Sequence, residues 1–135
     1  MKADEKKYFP MFVDLTQKKV TVIGAGNIAK RRIETLLSFA GTIEVIAPDA
    51  CERIKELAKE GRLVWKEKEY DREDLYDADL VLSATNNEKV NNDVYSACKC
   101  LGISVNTASN RMKCDFYFPS ILQKEETVIG LNSAG

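Results

Sequence analysis

The most constraining feature of this 135-residue chain is a tight turn, Gly24-Ala25-Gly26, between a β-branched run and a helical pattern. Val20–Ile23 precedes it. After it, Ile28, Ala29, Ile33, Leu36, Leu37 and Ala40 fall on one face at helical spacing. Gly41 suits a helix C′ position, and Ile43–Ala47 is a second β-branched run. The unit is strand, glycine turn, helix, strand. Gly24-Ala25-Gly26-Asn27-Ile28-Ala29 fits the G-x-G-x-x-G/A dinucleotide pattern in that setting. Gly24 allows the sharp exit from the strand, Gly26 leaves room for a pyrophosphate against the backbone, and Ala29 lets helix and strand pack closely. Free N–H groups at the helix start would hold the phosphates. The six residues alone also fit an ordinary βα turn; the flanking strands and helix favour a dinucleotide site over the Gly24–Ile28 turn, with Asn27 and Ile28 included.

The remaining pattern continues in kind. Pro48 ends the second strand, and Asp49 is positioned to cap a helix at 50–60 or to meet ribose hydroxyls. It lies about 23 residues beyond Gly26, close to the spacing of about 20 expected of such an acid. No arginine follows it at once, which favours NAD over NADP; Arg53 is one helical turn away. Residues 62–70 read as a third strand, 71–77 as an acidic turn, and 78–83 as a fourth strand apolar enough to be buried on both faces. Thr85 and Asn86 close that strand and suit the nicotinamide-side ribose, although Asn86 or Asn87 would also start a helix. Residues 88–101 predict a helix with Val90, Val94, Ala97, Cys98 and Leu101 inward, ended by Gly102, and 103–105 a fifth strand. A polar loop over 106–115 leads to further extended segments at 116–120 and 127–131. The expected fold is therefore α/β: a Rossmann-type, doubly wound, mainly parallel sheet with extra strands after the fifth, in one domain over 1–135. Tyr8–Leu15 is expected to form a hairpin arm over the sheet edge, Met1–Lys7 to fray, and Asn132–Gly135 to have no structure of its own.

Composition excludes several chemistries. With 20 Lys and Arg against 21 Asp and Glu the net charge is -1, so nothing global points to nucleic acid or an anionic membrane. No apolar run approaches about 20 residues and the N-terminus has no signal-peptide core, so the expectation is a cytoplasmic protein. The four cysteines (51, 98, 100 and 114) form no C-x-x-C pair and read as reduced structural thiols, with no metal site expected. There is no histidine, which removes imidazole acid–base chemistry and imidazole metal ligands. Lys30-Arg31-Arg32 is unusual, because cations near a helix start oppose the macrodipole. It is either a solvated face or a partner for an anionic ligand.

Pro10–Leu15, Val22–Arg32, Ala84-Thr85-Asn86, Val105-Asn106, Cys114-Asp115-Phe116 and Phe118-Pro119-Ser120 occur in that order. Together they resemble the dehydrogenase module of siroheme synthase, the precorrin-2 dehydrogenase and sirohydrochlorin ferrochelatase family. The likeness covers nearly the whole chain. It implies NAD-dependent oxidation of precorrin-2, a tetrapyrrole, to sirohydrochlorin in siroheme biosynthesis. It also implies that Lys30, Arg31 or Arg32 meets the peripheral carboxylates of the macrocycle, with Asn106 and Ser133 on the substrate side. Where the family carries a proposed catalytic aspartate, this sequence has Ser109, and the nearest loop acid is Asp115. Weak or absent metal insertion is expected from that departure. The family continues past a Ser-Gly-Gly-like segment into a helical dimerisation region, which this chain is expected to lack. That leaves a homodimer open.

Two other readings stand beside this one. Ala78–Asn91 also resembles the nucleotide-sensing regulatory domains of potassium channels, but Phe12–Leu15 and Phe116–Ser120 have no evident role there. A degenerate family member that binds NAD or tetrapyrrole without turnover is the third reading, and it rests on Ser109.

Overall fold

Five short strands, the central three of them rich in Val, Ile and Leu, form one parallel sheet in the computed structural model, which describes residues 6–133. They are β1 (Lys19–Ile23), β2 (Thr42–Ala47), β3 (Val64–Glu67), β4 (Leu80–Ser83) and β5 (Ser104–Thr107), in the order β3-β2-β1-β4-β5. Helices α1 (Asn27–Leu36), α2 (Glu52–Lys59) and α3 (Glu88–Leu101) cross between them. The strand order reverses direction beside β1, and right-handed crossovers then put α1 and α2 on one face and α3 on the other. The burial pattern agrees. Val20, Val22, Val45 and Leu82 pack with Ala29 and Ile33 of α1 and Ile54 and Leu57 of α2. Ile23, Ile46, Val81 and Val105 pack instead with Val94, Ala97 and Cys98 of α3. Register aligns Val22 with Val45 on one side and Leu82 on the other. A strand covered on both faces has little polar alternation, which is why Val20–Ile23 reads as a β-branched run in which Thr21 alone is polar. The expected doubly wound sheet is present. No described helix is long and apolar enough to cross a membrane.

Several local expectations are corrected. Gly41 is not a helix cap: α1 ends at Leu36 with Leu37 as its C-cap, and Gly41 has no left-handed backbone. A Cβ at Gly41 would lie 2.2 Å from the Thr16 carbonyl oxygen, and its N–H donates to Leu15 O at 2.8 Å. The glycine is there because residues 15–17 press against the entry to β2. Asp49 does not cap α2 either. Cys51 is the N-cap, without a side-chain bond, and the Asp49 carboxylate accepts from its neighbour Ala50 N–H at 2.9 Å. Ile28 is 47% exposed rather than part of the buried stripe, because it sits at the first turn of α1, beyond the sheet edge. Leu101, also expected inward, is exposed, and the third strand is shorter than the run 62–70.

Residues 6–15 form no hairpin and do not pair with the sheet. This segment is tied to the loop after β5: Lys6 Nζ donates to the carbonyls of Met112 (2.6 Å) and Cys114 (3.1 Å), and Tyr8 stacks on Tyr117. The fraying expected at the N-terminus otherwise falls on residues 1–5, outside the described residues, as does the expectation for 134–135. The extra strands are β6 (Ser120–Lys124) and β7 (Thr127–Leu131), an antiparallel hairpin that forms its own two-stranded sheet.

Candidate functional site

The carboxyl ends of β1, β2 and β4 are drawn together by main-chain bonds. Gly24 N–H donates to Ile46 O (3.0 Å) and Ala84 N–H to Ile23 O (2.8 Å). Gly24 has φ +111°, and a Cβ there would lie 2.4 Å from Ala84 O, so no other residue fits. The chain then turns into α1, whose N-cap is Gly26 and whose first turn holds no acid. The first intrahelical bond runs from Lys30 N–H to Gly26 O (2.9 Å), leaving the N–H groups of residues 27–29 without helical acceptors. Apart from its neighbours along the chain, nothing lies within 4 Å of where a Gly26 Cβ would stand. Unfilled space over free donors at a positive helix end is a cradle for a phosphate group.

This turn opens into a cleft of about 880 Å³. Every residue expected to bind a cofactor lines it. The turn contributes Gly24, Gly26, Asn27 and Ile28; the end of β2 contributes Pro48 and Asp49; the end of β4 contributes Thr85 and Asn86. Sequence reasoning missed Tyr70 and Val90, which also line it. Tyr70 donates its hydroxyl proton to Asp93 at 2.8 Å, and burial, with that bond, pushes its phenol well above the ordinary range. Its position just beyond β3 was the available signal, since the carboxyl ends of parallel strands line such clefts.

Asn91 is the main omission. It is 1% exposed and joins three segments. Its Oδ1 accepts from Ser83 Oγ (2.8 Å) and Thr85 Oγ1 (2.7 Å), while its Nδ2 donates to Thr85 O (3.0 Å). The same amide approaches Ser109 Oγ at 3.5 Å. Thr85, on the cleft wall, is thus linked through one buried side chain to the loop after β5.

A second cavity of about 250 Å³ lies beside that loop. It gathers three of the residues expected on the substrate side: Arg32 from α1, Asn106 from β5 and Ser133 from beyond β7. Asn106 donates its amide to Phe116 O at 2.8 Å, which fastens the loop to the strand. Lys30 and Arg31 line neither cavity. Asp115 also lines neither. Its carboxylate accepts from Val105 N–H at 3.0 Å and pairs with Lys99, so its role is to hold the loop against β5. Of the thiols, burial pushes Cys98 up to about 11, and also raises Cys114, whose Sγ donates to Thr107 O at 3.2 Å. Both stay protonated near neutral pH.

A family model described as "Putative NAD(P)-binding" matches residues 11–120. The chain belongs to this NAD(P)-binding family. It is 37% identical over 129 residues to a siroheme synthase from Pseudoalteromonas atlantica, covering 96% of this chain and 28% of that protein. The siroheme synthase of Buchnera aphidicola is 35% identical over 128 residues, covering 95% and 27%. The chain therefore spans little more than a quarter of these curated relatives. Among solved structures it is similar to SirC, a precorrin-2 dehydrogenase, with TM-score 0.76 and 27% identity, covering 95% of this chain and 63% of that one.

For an NAD(P)-binding protein the Asn91 network has a measurable consequence. Asn91→Leu leaves the buried Ser83 hydroxyl and the Thr85 carbonyl without their partner, each costing about 1–3 kcal/mol where water cannot replace it, while the Thr85 hydroxyl keeps the Asn87 carbonyl at 3.1 Å. The variant is expected to lose at least about 2 kcal/mol of stability. It is also expected to bind NAD several-fold more weakly, as Thr85 is released. Urea unfolding and calorimetric titration check the two effects. NAD affinity equal to that of the wild type would separate the network from the cleft.

Proposed function

We propose that this chain oxidises precorrin-2 to sirohydrochlorin with NAD as the hydride acceptor, in siroheme biosynthesis. The observation that carries this reading is the link from the nucleotide cleft to the loop of the arginine-bearing cavity: Thr85 lines the cleft, Asn91 joins it to Ser109, and Ala108 and Arg111 of the same loop line the second cavity. The names of the relatives and of the similar solved structure support the same chemistry. We assign residues 1–135 to one nucleotide-binding domain acting on a small-molecule tetrapyrrole. Four free thiols suit the reducing cytoplasm.

The oxidation removes one hydride and one proton from the macrocycle. Bound NAD supplies the hydride acceptor. The N–H groups at the start of α1 hold its pyrophosphate, Thr85 and Asn86 orient its nicotinamide half, and Arg32 attracts the macrocycle's carboxylates. The proton leaves to water, since the loop offers a hydroxyl at Ser109 and the chain has no histidine. Holding the reacting carbon within reach of nicotinamide is the larger contribution, and it needs no base. NAD is favoured over NADP because Asp49 stands at the end of β2 and Arg53, the nearest arginine, is taken by Glu34 (3.1 Å) and Glu56 (3.5 Å).

The test is NADH formation from precorrin-2 by this chain, followed by absorbance alongside a calorimetric NAD titration. Slow, NAD-dependent turnover is the expected result. NAD binding without any reduction would favour the second reading, a binding module without turnover, which Ser109 in place of the family's carboxylate supports. Absence of NAD binding would overturn both.

A further inference from the structure

The cavity of about 250 Å³ is lined by two arginines, Arg32 and Arg111, and by no Asp or Glu. They reach it from distant parts of the chain, Arg32 from α1 and Arg111 from the 3₁₀ turn Arg111–Lys113 after β5. Each guanidinium lies over an aromatic ring. Arg32 Cζ is 4.8 Å from the Phe118 centroid and Arg111 Cζ is 5.4 Å from that of Tyr117. Stacking of this kind fixes the guanidinium plane and leaves its edge N–H donors unspent. Among the described residues neither arginine enters an ion pair, whereas Arg53 and Arg72 are each held by carboxylates. The wall between them includes Thr107, 2% exposed, whose hydroxyl has no hydrogen-bond partner among the described residues. Two like charges facing one small cavity repel each other, and an anion between them reverses the sign of the interaction.

We propose that Arg32 and Arg111 form a two-guanidinium clamp for carboxylates on the edge of a flat, polycarboxylate ligand, with Arg111 the residue that sets its affinity. The clamp rests on the reading of the site as one for a carboxylate-bearing macrocycle, and it goes beyond that reading in naming Arg111. A guanidinium meets a carboxylate through paired N–H donors, a geometry that lysine does not reproduce. The Phe118 and Tyr117 rings lie under Arg32 and Arg111, and Tyr117 is itself backed by Tyr8.

The experiment is equilibrium binding of sirohydrochlorin and of its methyl ester to the wild type, Arg111→Ala, Arg111→Lys and Arg62→Ala. Arg62 is exposed, lines neither cavity and serves as the control for net charge. Circular dichroism and NAD titration on every variant establish that each is folded, and Arg111→Lys carries the test if the alanine variant is not. The free acid is expected to bind Arg111→Ala about 10- to 100-fold more weakly than wild type, the loss of a charge-assisted pair. Arg111→Lys should recover part of that loss, Arg62→Ala should show none, and the ester should not distinguish wild type from Arg111→Ala. Equal losses in Arg111→Ala and Arg62→Ala would reduce the effect to long-range charge and overturn the clamp, as would free-acid binding unchanged by Arg111→Ala. If the wild type binds NAD but not sirohydrochlorin, the proposed reaction fails, and citrate is then titrated as the carboxylate probe. Citrate binding that disappears in Arg111→Ala keeps the clamp for another polycarboxylate; no citrate binding overturns it too.

Discussion

Gly26→Val is expected to fold normally and to bind NAD at least about 100-fold more weakly than the parent chain. That figure corresponds to two charge-assisted hydrogen bonds at about 1.5 kcal/mol each, before any steric term. The fold should survive because nothing but the neighbouring residues of the chain lies within 4 Å of the new Cβ. A small loss of stability, on the order of 1 kcal/mol, comes from a branched residue at the N-cap. Gly24 behaves oppositely: with φ +111° and the Ala84 carbonyl oxygen 2.4 Å from where a Cβ would stand, any side chain strains the protein itself. Calorimetric titration with NAD and a thermal unfolding curve for Gly26→Val separate the two cases. Unchanged affinity in that variant would remove the glycine turn from the cofactor site.

Ser109→Asp is expected to raise the rate of precorrin-2 oxidation by about 100- to 10,000-fold at unchanged NAD affinity, the usual worth of a positioned general base. Ser109 lines neither cavity, but its position is tied to the cleft wall through Asn91. Ser109 Oγ stands 3.5 Å from Asn91 Nδ2, a donor already fixed by its bond to the Thr85 carbonyl, so a carboxylate there would be held by the same amide. It is also exposed, which keeps the ionised form solvated. Steady-state rates of the two proteins, with matched NAD titrations, decide the matter. A rate that is unchanged or lower would mean that this position does not act as the base, whatever its counterpart does elsewhere.

The parts of the site that are legible in the sequence are those fixed by local geometry. Gly24, Gly26, Asn27 and Ile28 follow a strand by a few residues, and Pro48, Asp49, Thr85 and Asn86 close strands, so strand assignment alone carries them to one edge. The parallel sheet follows for the same reason, from apolar runs separated by helical spacing. Asn91 escapes such a reading because the inward stripe of α3 shows itself through apolar residues, and a polar side chain enters that stripe only because Ser83 and Thr85 satisfy it. Gly41 looks like a helix end because its true reason, a carbonyl 2.2 Å from its missing Cβ, belongs to a segment some 25 residues earlier in the chain. Arg111 has no periodic signal at all. Its partner Arg32 lies on another element, and only folding brings both to the cavity holding Asn106 and Ser133.

The β6–β7 hairpin stands apart from the parallel sheet, paired only with itself, and Leu122, Ile129 and Leu131 remain exposed on it. A lone two-stranded ribbon is marginally stable in water. Yet the chain leaving β7 supplies Asn132 and Ser133 to the arginine-bearing cavity, while the nucleotide cleft rests on β1, β2 and β4 in the centre of the sheet. That cavity is therefore built from two parts: Arg32, Asn106 and Thr107 belong to the parallel-sheet unit, and Asn132 and Ser133 to the chain leaving the hairpin. Amides of the hairpin are expected to exchange with solvent through local opening, and those of β1 only when the whole domain unfolds, which hydrogen exchange would measure. Opening of the hairpin would then loosen the Asn132–Ser133 side of the second cavity and leave β1, β2 and β4, with the cleft on them, in place.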